Sequence, residues 1–218
     1  MSSNEYHFIT HWRVQAPIDE VFDILADGPD LMRWWPSVYL DAQELEPGDA
    51  ETAVGKVISL YTKGWLPYTL RWQFRITESN KPYGFSLEAW GDFVGRGIWT
   101  LAQDGDWTNV TYDWKIRADK PLLRTFSPLF KPLFSANHHW AMQKGEESLK
   151  LELLRRHATT PEERAAIPPP PQATFHNLNK LLAAGGATLA SIGIYALIKK
   201  LSRQNERTLR HPPGDEAK

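Results

Sequence analysis

The chain has 218 residues, enough for one well-buried domain with appendages but short for two full domains. Its content of 42% hydrophobic and 23% charged residues is that of a globular protein, and the absence of cysteine excludes disulfides, thiolate catalysis and cysteine-ligated zinc or iron–sulfur centres. The net charge of −1 divides into −4 over residues 1–157 (17 Lys+Arg, 21 Asp+Glu) and +3 over residues 158–218 (8 against 5), too small a basic excess for nucleic acid to be the main partner.

The amino terminus, MSSNEYHFITHW, lacks a basic region followed by an apolar run, so no cleaved secretory signal is expected and the main body is placed in the cytoplasm. Tyr6 to Gln15 alternates, with Phe8, Thr10, Trp12 and Val14 on one side and His7, His11 and Arg13 on the other, which predicts a half-buried strand. Pro17 suits the first position of a helix, Asp19 and Glu20 suit the positive end of its dipole, and Ile18, Val21, Phe22 and Leu25 give it one buried face. DGPD (27–30) ends that helix. A second short helix carries Leu31 to Trp34, and Pro36 stops it.

From residue 37 to 117 the spacing predicts six strands: Val38–Leu45, Val54–Tyr61, Tyr68–Thr77, Tyr83–Ala89, Phe93–Ala102 and Asn109–Arg117. EPGDAE, KGWLP, ESNKP, WGD and QDGDW supply the turn residues between them. In TLRWQFRIT, Leu70, Trp72, Phe74 and Ile76 oppose Arg71, Gln73 and Arg75, and VTYDWKIR repeats the plan. Consecutive hairpins with one apolar face make an antiparallel sheet, and that face must be covered. The cover is a helix over about Ser135 to His157, where His138, Met142, Gly145, Leu149 and Leu153 fall on one stripe. The proline-interrupted PLLRTFSPLFKPLF before it reads as an irregular approach or lid. Residues 158–174, with PPPP, read as an extended semi-rigid linker, and 203–218 as a polar disordered tail.

With APIDEVFDILADGPDLMRWWPSV near its start, GRGIWTL and TNVTYDWKI later and AMQKGEESLKLELLRR at its close, residues 1–157 resemble the SRPBCC (START/Bet v1-like) superfamily, in particular its polyketide cyclase/dehydrase-type members. The resemblance implies an α+β helix-grip fold, a curved antiparallel sheet around a long helix. It also implies a deep apolar cavity for lipids, polyketides or other hydrophobic molecules. Members include enzymes and plain carriers, so it implies a binding class and not a reaction.

Ten tryptophans are the compositional departure. The resemblance places Trp34 and Trp35 near the cavity mouth, with Trp12, Tyr61, Trp72, Phe74, Phe85, Trp99, Tyr112 and Trp114 as wall candidates. His138, Met142, Gly145 and Leu149 face them from the helix stripe. The alternative is a solid core in which the rings simply pack. Catalytic signals are weak. His7 and His11 point outward and lie about 13 Å apart along the strand, too far to share a metal. Glu88, Arg96 and Asp113 fall on solvent faces, and no HExxH, GxSxG or phosphate-cradling loop is present. His138 is the best acid–base candidate, and a weak one beside its reading as a semi-buried structural histidine. Neither a cofactor nor a metal is expected.

Leu181 to Ile198 is an uncharged 18-residue run between Lys180 and Lys199–Lys200. As a helix it would measure about 27 Å, barely a hydrocarbon core. Gly186 with Ala190 and Ala187 with Ser191 would permit close self-association in lipid. Lys199, Lys200, Arg203, Arg207 and Arg210 oppose spanning, because they would have to cross. A span, a helix on the membrane surface, or packing on a partner or on the domain itself all stay open. The leading expectation is a carrier of a hydrophobic small molecule or lipid, associated with membrane through this run. The alternative is a cyclase or dehydratase-type enzyme.

Overall fold

The computed structural model describes residues 4–174 apart from 67, 119 and 120. The first strand, β1 (Glu5–Val14), leads into α1 (Ile18–Ala26) and α2 (Leu31–Trp34). Six further strands follow: β2 (Tyr39–Glu46), β3 (Val57–Lys63), β4 (Thr69–Asn80), β5 (Gly84–Gly91), β6 (Phe93–Asp104) and β7 (Trp107–Ala118). A 37-residue helix, α3 (Pro121–His157), and a short one, α4 (Pro161–Ala166), complete the order. All strand pairings are antiparallel in one seven-stranded curved sheet ordered β1-β7-β6-β5-β4-β3-β2, so α1 and α2 carry the chain from one edge to the other. With α3 over the apolar face, this is the α+β helix-grip architecture.

The strands follow the period-2 pattern closely. On β4, Trp72, Phe74 and Ile76 are buried and Arg71 and Arg75 are exposed. β3 starts three residues later than its hydrophobicity suggests, because Asp49 organises a turn before it. The Oδ1 of Asp49 accepts from the backbone of Glu51 and Thr52 and from the Thr52 hydroxyl, and Ala53 and Gly55 take positive φ.

The long helix differs most from expectation. The approach expected to be irregular is helical from Pro121, continuing through Pro128 and Pro132. Each interior proline removes a backbone donor at a cost of about 3 kcal/mol. Packing compensates at this end, where Phe134 sets its ring edge-on to Tyr6 and Tyr68. Further along, Met142, Gly145, Leu149 and Leu153 are buried on the expected stripe. Gly145 is required for close approach: a Cβ there would lie 2.2 Å from the Trp35 ring.

A charge cluster fixes α2 against α3. Glu152, only 2% exposed, accepts two hydrogen bonds of 2.7 Å from Arg33 and one of 2.9 Å from Arg156. Burial by itself would lift the Glu152 carboxyl, but these bonds bring it below its ordinary range. At the helix end, His157 bonds Glu20 of α1 at 2.8 Å.

The segment expected as a spacer begins with α4, whose Thr160 and Glu163 form a reciprocal capping box. Beyond it the chain turns back along the domain. The Pro168 carbonyl accepts from Arg155, near the end of α3, and the Thr174 carbonyl accepts from Lys63 at 2.5 Å, at the end of β3. Among the described residues no helix is long and apolar enough to cross a membrane. The apolar run 181–198 and the polar tail 203–218 lie outside the described residues.

Candidate functional site

The space between sheet and helix is half filled. Under the carboxy-terminal half of α3 aromatic rings pack against one another: Trp12 on Trp99 at 5.5 Å, Trp99 beside Phe85 at 6.2 Å, and Phe22 edge-on to Phe85 at 5.8 Å between ring centroids. Phe74 and Leu149 belong to the same core, as does Trp34, which is 0% exposed. Under the amino-terminal half a cavity of about 150 Å³ remains.

Its walls come from the sheet, the α2–β2 stretch and α3. β1 contributes Tyr6 and Phe8; β7 contributes Tyr112, Trp114 and Ile116; β4 contributes Leu70 and Trp72. The stretch from α2 into β2 contributes Trp35, Val38 and Tyr39, and α3 contributes Phe134, Asn137, His138, Ala141 and Met142. Phe93, Thr62, Lys63, Gly64 and Tyr68 complete it. Several rings brace one another: Trp114 stacks on Tyr112 at 5.5 Å and meets Trp72 at 5.8 Å, while Phe93 lies 5.2 Å from Trp72. Trp35 and Tyr112 form the partition with the filled half, because Trp35 also touches Trp12 and Tyr112 stacks on Trp99 at 4.0 Å.

The sequence-derived candidates therefore separate. Trp35, Trp72, Tyr112, Trp114, His138 and Met142 line the cavity. Trp12, Trp34, Phe74, Phe85, Trp99 and Leu149 pack in the filled half, and Gly145 lies against Trp35. Tyr61 takes no part: Ile58, Leu60 and Thr62 of β3 are buried, so alternation turns Tyr61 to the other face, where the Arg71 guanidinium stands 4.3 Å over its ring. Trp34 and Trp35, expected near the mouth, are both buried inside.

Other lining residues went unassigned in the sequence, although signals for some were present. Tyr6 and Phe8 continue the inward face of β1 beyond Trp12. Phe134 continues the α3 stripe one turn before His138, where the prolines obscured it, and Asn137 adjoins His138 in the chain. Lys63 and Gly64 had no such signal, since they follow the predicted end of their strand.

Several of the polar groups are engaged. The Trp72 indole donates to the Thr62 hydroxyl at 3.0 Å, and Asn137 Oδ1 accepts from the Leu66 amide at 3.1 Å. Asn137 lies so close to Gly64 that a Cβ there would meet its amide at 2.2 Å. Lys63 is 5% exposed, and burial lowers its pKa. Burial raises the hydroxyls of Tyr39, Tyr68 and Tyr112, so they stay protonated. His138 stacks on Phe8 at 4.0 Å, and burial, aided by His139, pushes its pKa down to about 3. Its imidazole is thus neutral near pH 7. The buried ring nitrogens His138 Nε2 and Trp35 Nε1 have no hydrogen-bond partner among the described residues.

Among the described residues no carboxylate lines the cavity. Among the described residues no three His, Asp or Glu side chains gather to hold a metal ion. On the outer face His7 bonds Asp113 at 3.0 Å and His11 bonds Thr111 at 3.1 Å. Glu88 and Arg96 face solvent there as expected.

A family model described as polyketide cyclase/dehydrase and lipid transport matches residues 8–153. No curated protein matches the sequence. Among solved structures, the Zhui aromatase/cyclase from Streptomyces sp. R1128 is similar at 20% identity and a TM-score of 0.57, over 71% of this chain and 97% of that one. A protein from Thermus thermophilus has 14% identity and a TM-score of 0.54, over 70% and 100%. Norcoclaurine synthase from Thalictrum flavum, in complex with dopamine and hydroxybenzaldehyde, has 13% identity and a TM-score of 0.50, over 72% and 90%. At these identities the likeness is one of fold.

Proposed function

Because the chain belongs to the polyketide cyclase/dehydrase and lipid transport family, we propose that it binds a hydrophobic small molecule or lipid in the cavity beside His138 and releases it unchanged, working in association with a membrane. The observation that carries this reading is an aromatic-walled cavity whose lining, among the described residues, includes no carboxylate and whose histidine is neutral. A base with a pKa of about 3 is too weak to take a proton near pH 7, and hydroxyls raised by burial are too weak to give one. What these groups can do is orient. His138 Nε2 and Trp35 Nε1, both without partners among the described residues, suit a ligand that carries a hydrogen-bonding group on an apolar body.

Size refines this. Apolar cavities near 150 Å³ admit one benzene-sized ring. Burying about 150 Å² of such a ring yields about 4 kcal/mol, which association costs largely offset. Tight binding therefore requires a larger ligand, and the amino-terminal turns of α3 must yield to admit it. Membrane association is assigned to the uncharged run Leu181–Ile198 with its flanking lysines.

A second reading, a cyclase or dehydratase, is favoured by one cluster: Lys63, with its pKa lowered by burial, lines the same cavity as Asn137 and His138. Extracting the ligand that co-purifies with the full chain and incubating it with fresh protein separates the two. Recovery of the same compound is the expected result, and a product of altered mass would replace the carrier reading with the enzymatic one.

A further inference from the structure

The sheet ends in two unlike edges. At one, β2 loses register with β3 twice, between Tyr39 and Asp41 and between Glu44 and Glu46, and its last residues, Gln43 to Glu46, are exposed and mostly polar. Bulges and charges of this kind keep an edge from pairing. At the other edge, β1 runs ten residues against β7 without a register shift, from Glu5↔Arg117 to Val14↔Thr108, and contains no proline. Among the described residues no strand lies beyond it.

The β6–β7 hairpin sets the direction of the backbone groups. Its two-residue turn, Gly105–Asp106 with Gly105 at positive φ, makes the closing pair Asp104↔Trp107 a hydrogen-bonded one. Alternation then turns the odd residues of β7 to β6 and the even ones to β1, and the Leu101 amide agrees by donating to Tyr83 on the other side of β6. In β1 it is therefore Tyr6, Phe8, Thr10, Trp12 and Val14 that bond β7, while the N–H and C=O groups of His7, Ile9, His11 and Arg13 point to the outer edge. The side chains of those four are exposed, with Ile9, 54% exposed, at the middle, and Glu5 heads the same row. Contacts to Asp113 and Thr111 of β7 already order the His7 and His11 rings, so little side-chain freedom is left to lose on pairing.

This row complements itself when reversed. About a twofold axis through Ile9, Ile9 meets its own copy, His7 meets His11, and Glu5 meets Arg13 at both ends, so apolar faces apolar and anion faces cation. A slip of one pair in either direction sets Ile9 opposite a histidine and loses the match of Glu5 with Arg13. Opposed pairs from residue 5 to 13, each exchanging two backbone bonds, give about ten hydrogen bonds, as many as an ordinary stable interface carries.

We propose that a second copy of this chain pairs with β1 in antiparallel register about Ile9, joining two seven-stranded sheets into one. The twofold axis stands perpendicular to the sheet, so both α3 helices and both cavities lie on the same side, and the contact closes on itself as a dimer.

The chain has no cysteine, which permits cross-linking in the full chain without background. Opposed residues of a hydrogen-bonded pair have Cα atoms about 5.5 Å apart, within disulfide reach, whereas two copies of residue 11 would stand about 14 Å apart. Under mild oxidation Ile9→Cys should form a disulfide dimer several-fold faster than His11→Cys, and His11→Cys mixed with His7→Cys should form the mixed dimer. Ile9→Pro removes only an edge-directed N–H, so sedimentation velocity should show a dimer for the wild type and a monomer, with unchanged circular dichroism, for this variant. Equal rates at positions 9 and 11, a monomeric wild type, or a dimer that survives Ile9→Pro overturns the proposal. Should Ile9→Pro fail to fold, the cysteine rates decide alone.

Discussion

Removing one member of a buried charge cluster costs more than the cluster contributes, because the remaining charge is left poorly solvated. Arg33→Gln leaves the buried Glu152 carboxylate without its two 2.7 Å bonds and is expected to destabilise the domain by about 3 kcal/mol, seen as a lower urea midpoint. Arg156→Gln removes only the single 2.9 Å bond and should cost less than about 1 kcal/mol. The two shifted groups also predict separate pH windows. Glu152 has its folded value depressed, so its contribution is present above the ordinary carboxyl range and is lost as pH falls through that depressed value. His138 is held neutral with a pKa of about 3, whereas an unfolded histidine takes its proton near pH 6.5. Its contribution is therefore full above about pH 6.5 and declines by up to about 1.4 kcal/mol per unit as pH falls toward 3. Urea titrations from pH 7 to 5 should show a slope that His138→Asn reduces; an unchanged slope would mean that this ring is not buried neutral. The tryptophans divide similarly. Trp99→Ala, in the filled half, should cost about 3–5 kcal/mol in stability.

At the scale of elements, α1 and the strands were legible because alternation and spacing act locally: Trp72 and Phe74 point inward and Arg71 and Arg75 outward wherever β4 is placed. The start of α3 was hidden, since Pro128 and Pro132 signal a break and only contacts such as Phe134 on Tyr6 and Tyr68 explain its persistence. Which rings wall a void was not legible either. Trp72 and Trp99 have the same inward register, and only the third dimension sets one beside space and the other beside Trp12 and Tyr112. The cavity lies under the proline-containing end of α3, where interior prolines have already removed backbone hydrogen bonds. Binding of a ligand larger than one ring should therefore alter amide exchange in residues 121–142, while β5 keeps its protection. Changes spread evenly over the sheet would argue against local opening of α3.

For the whole molecule, the sequence carried the family and the fold but not the chemistry. The helix-grip arrangement follows from strand count, hairpin spacing and the long stripe on α3, all of which are one-dimensional patterns. The site depends on distant meetings, such as Lys63 with Thr174 across 111 residues or His138 with Phe8 of β1, for which no pattern exists. Family membership constrains function to the same degree, to a class of ligand and not to a reaction. The decisive claim is that the space beside Ala141 is empty of side chain and filled by an apolar guest. Ala141→Phe would place a ring in that space and should leave thermal stability equal or higher. Native mass spectrometry of the full chain purified from cells should then find a bound apolar molecule on the wild-type protein and none on the equally folded Ala141→Phe variant. Finding no guest on either protein, or the same guest on both, would contradict the account.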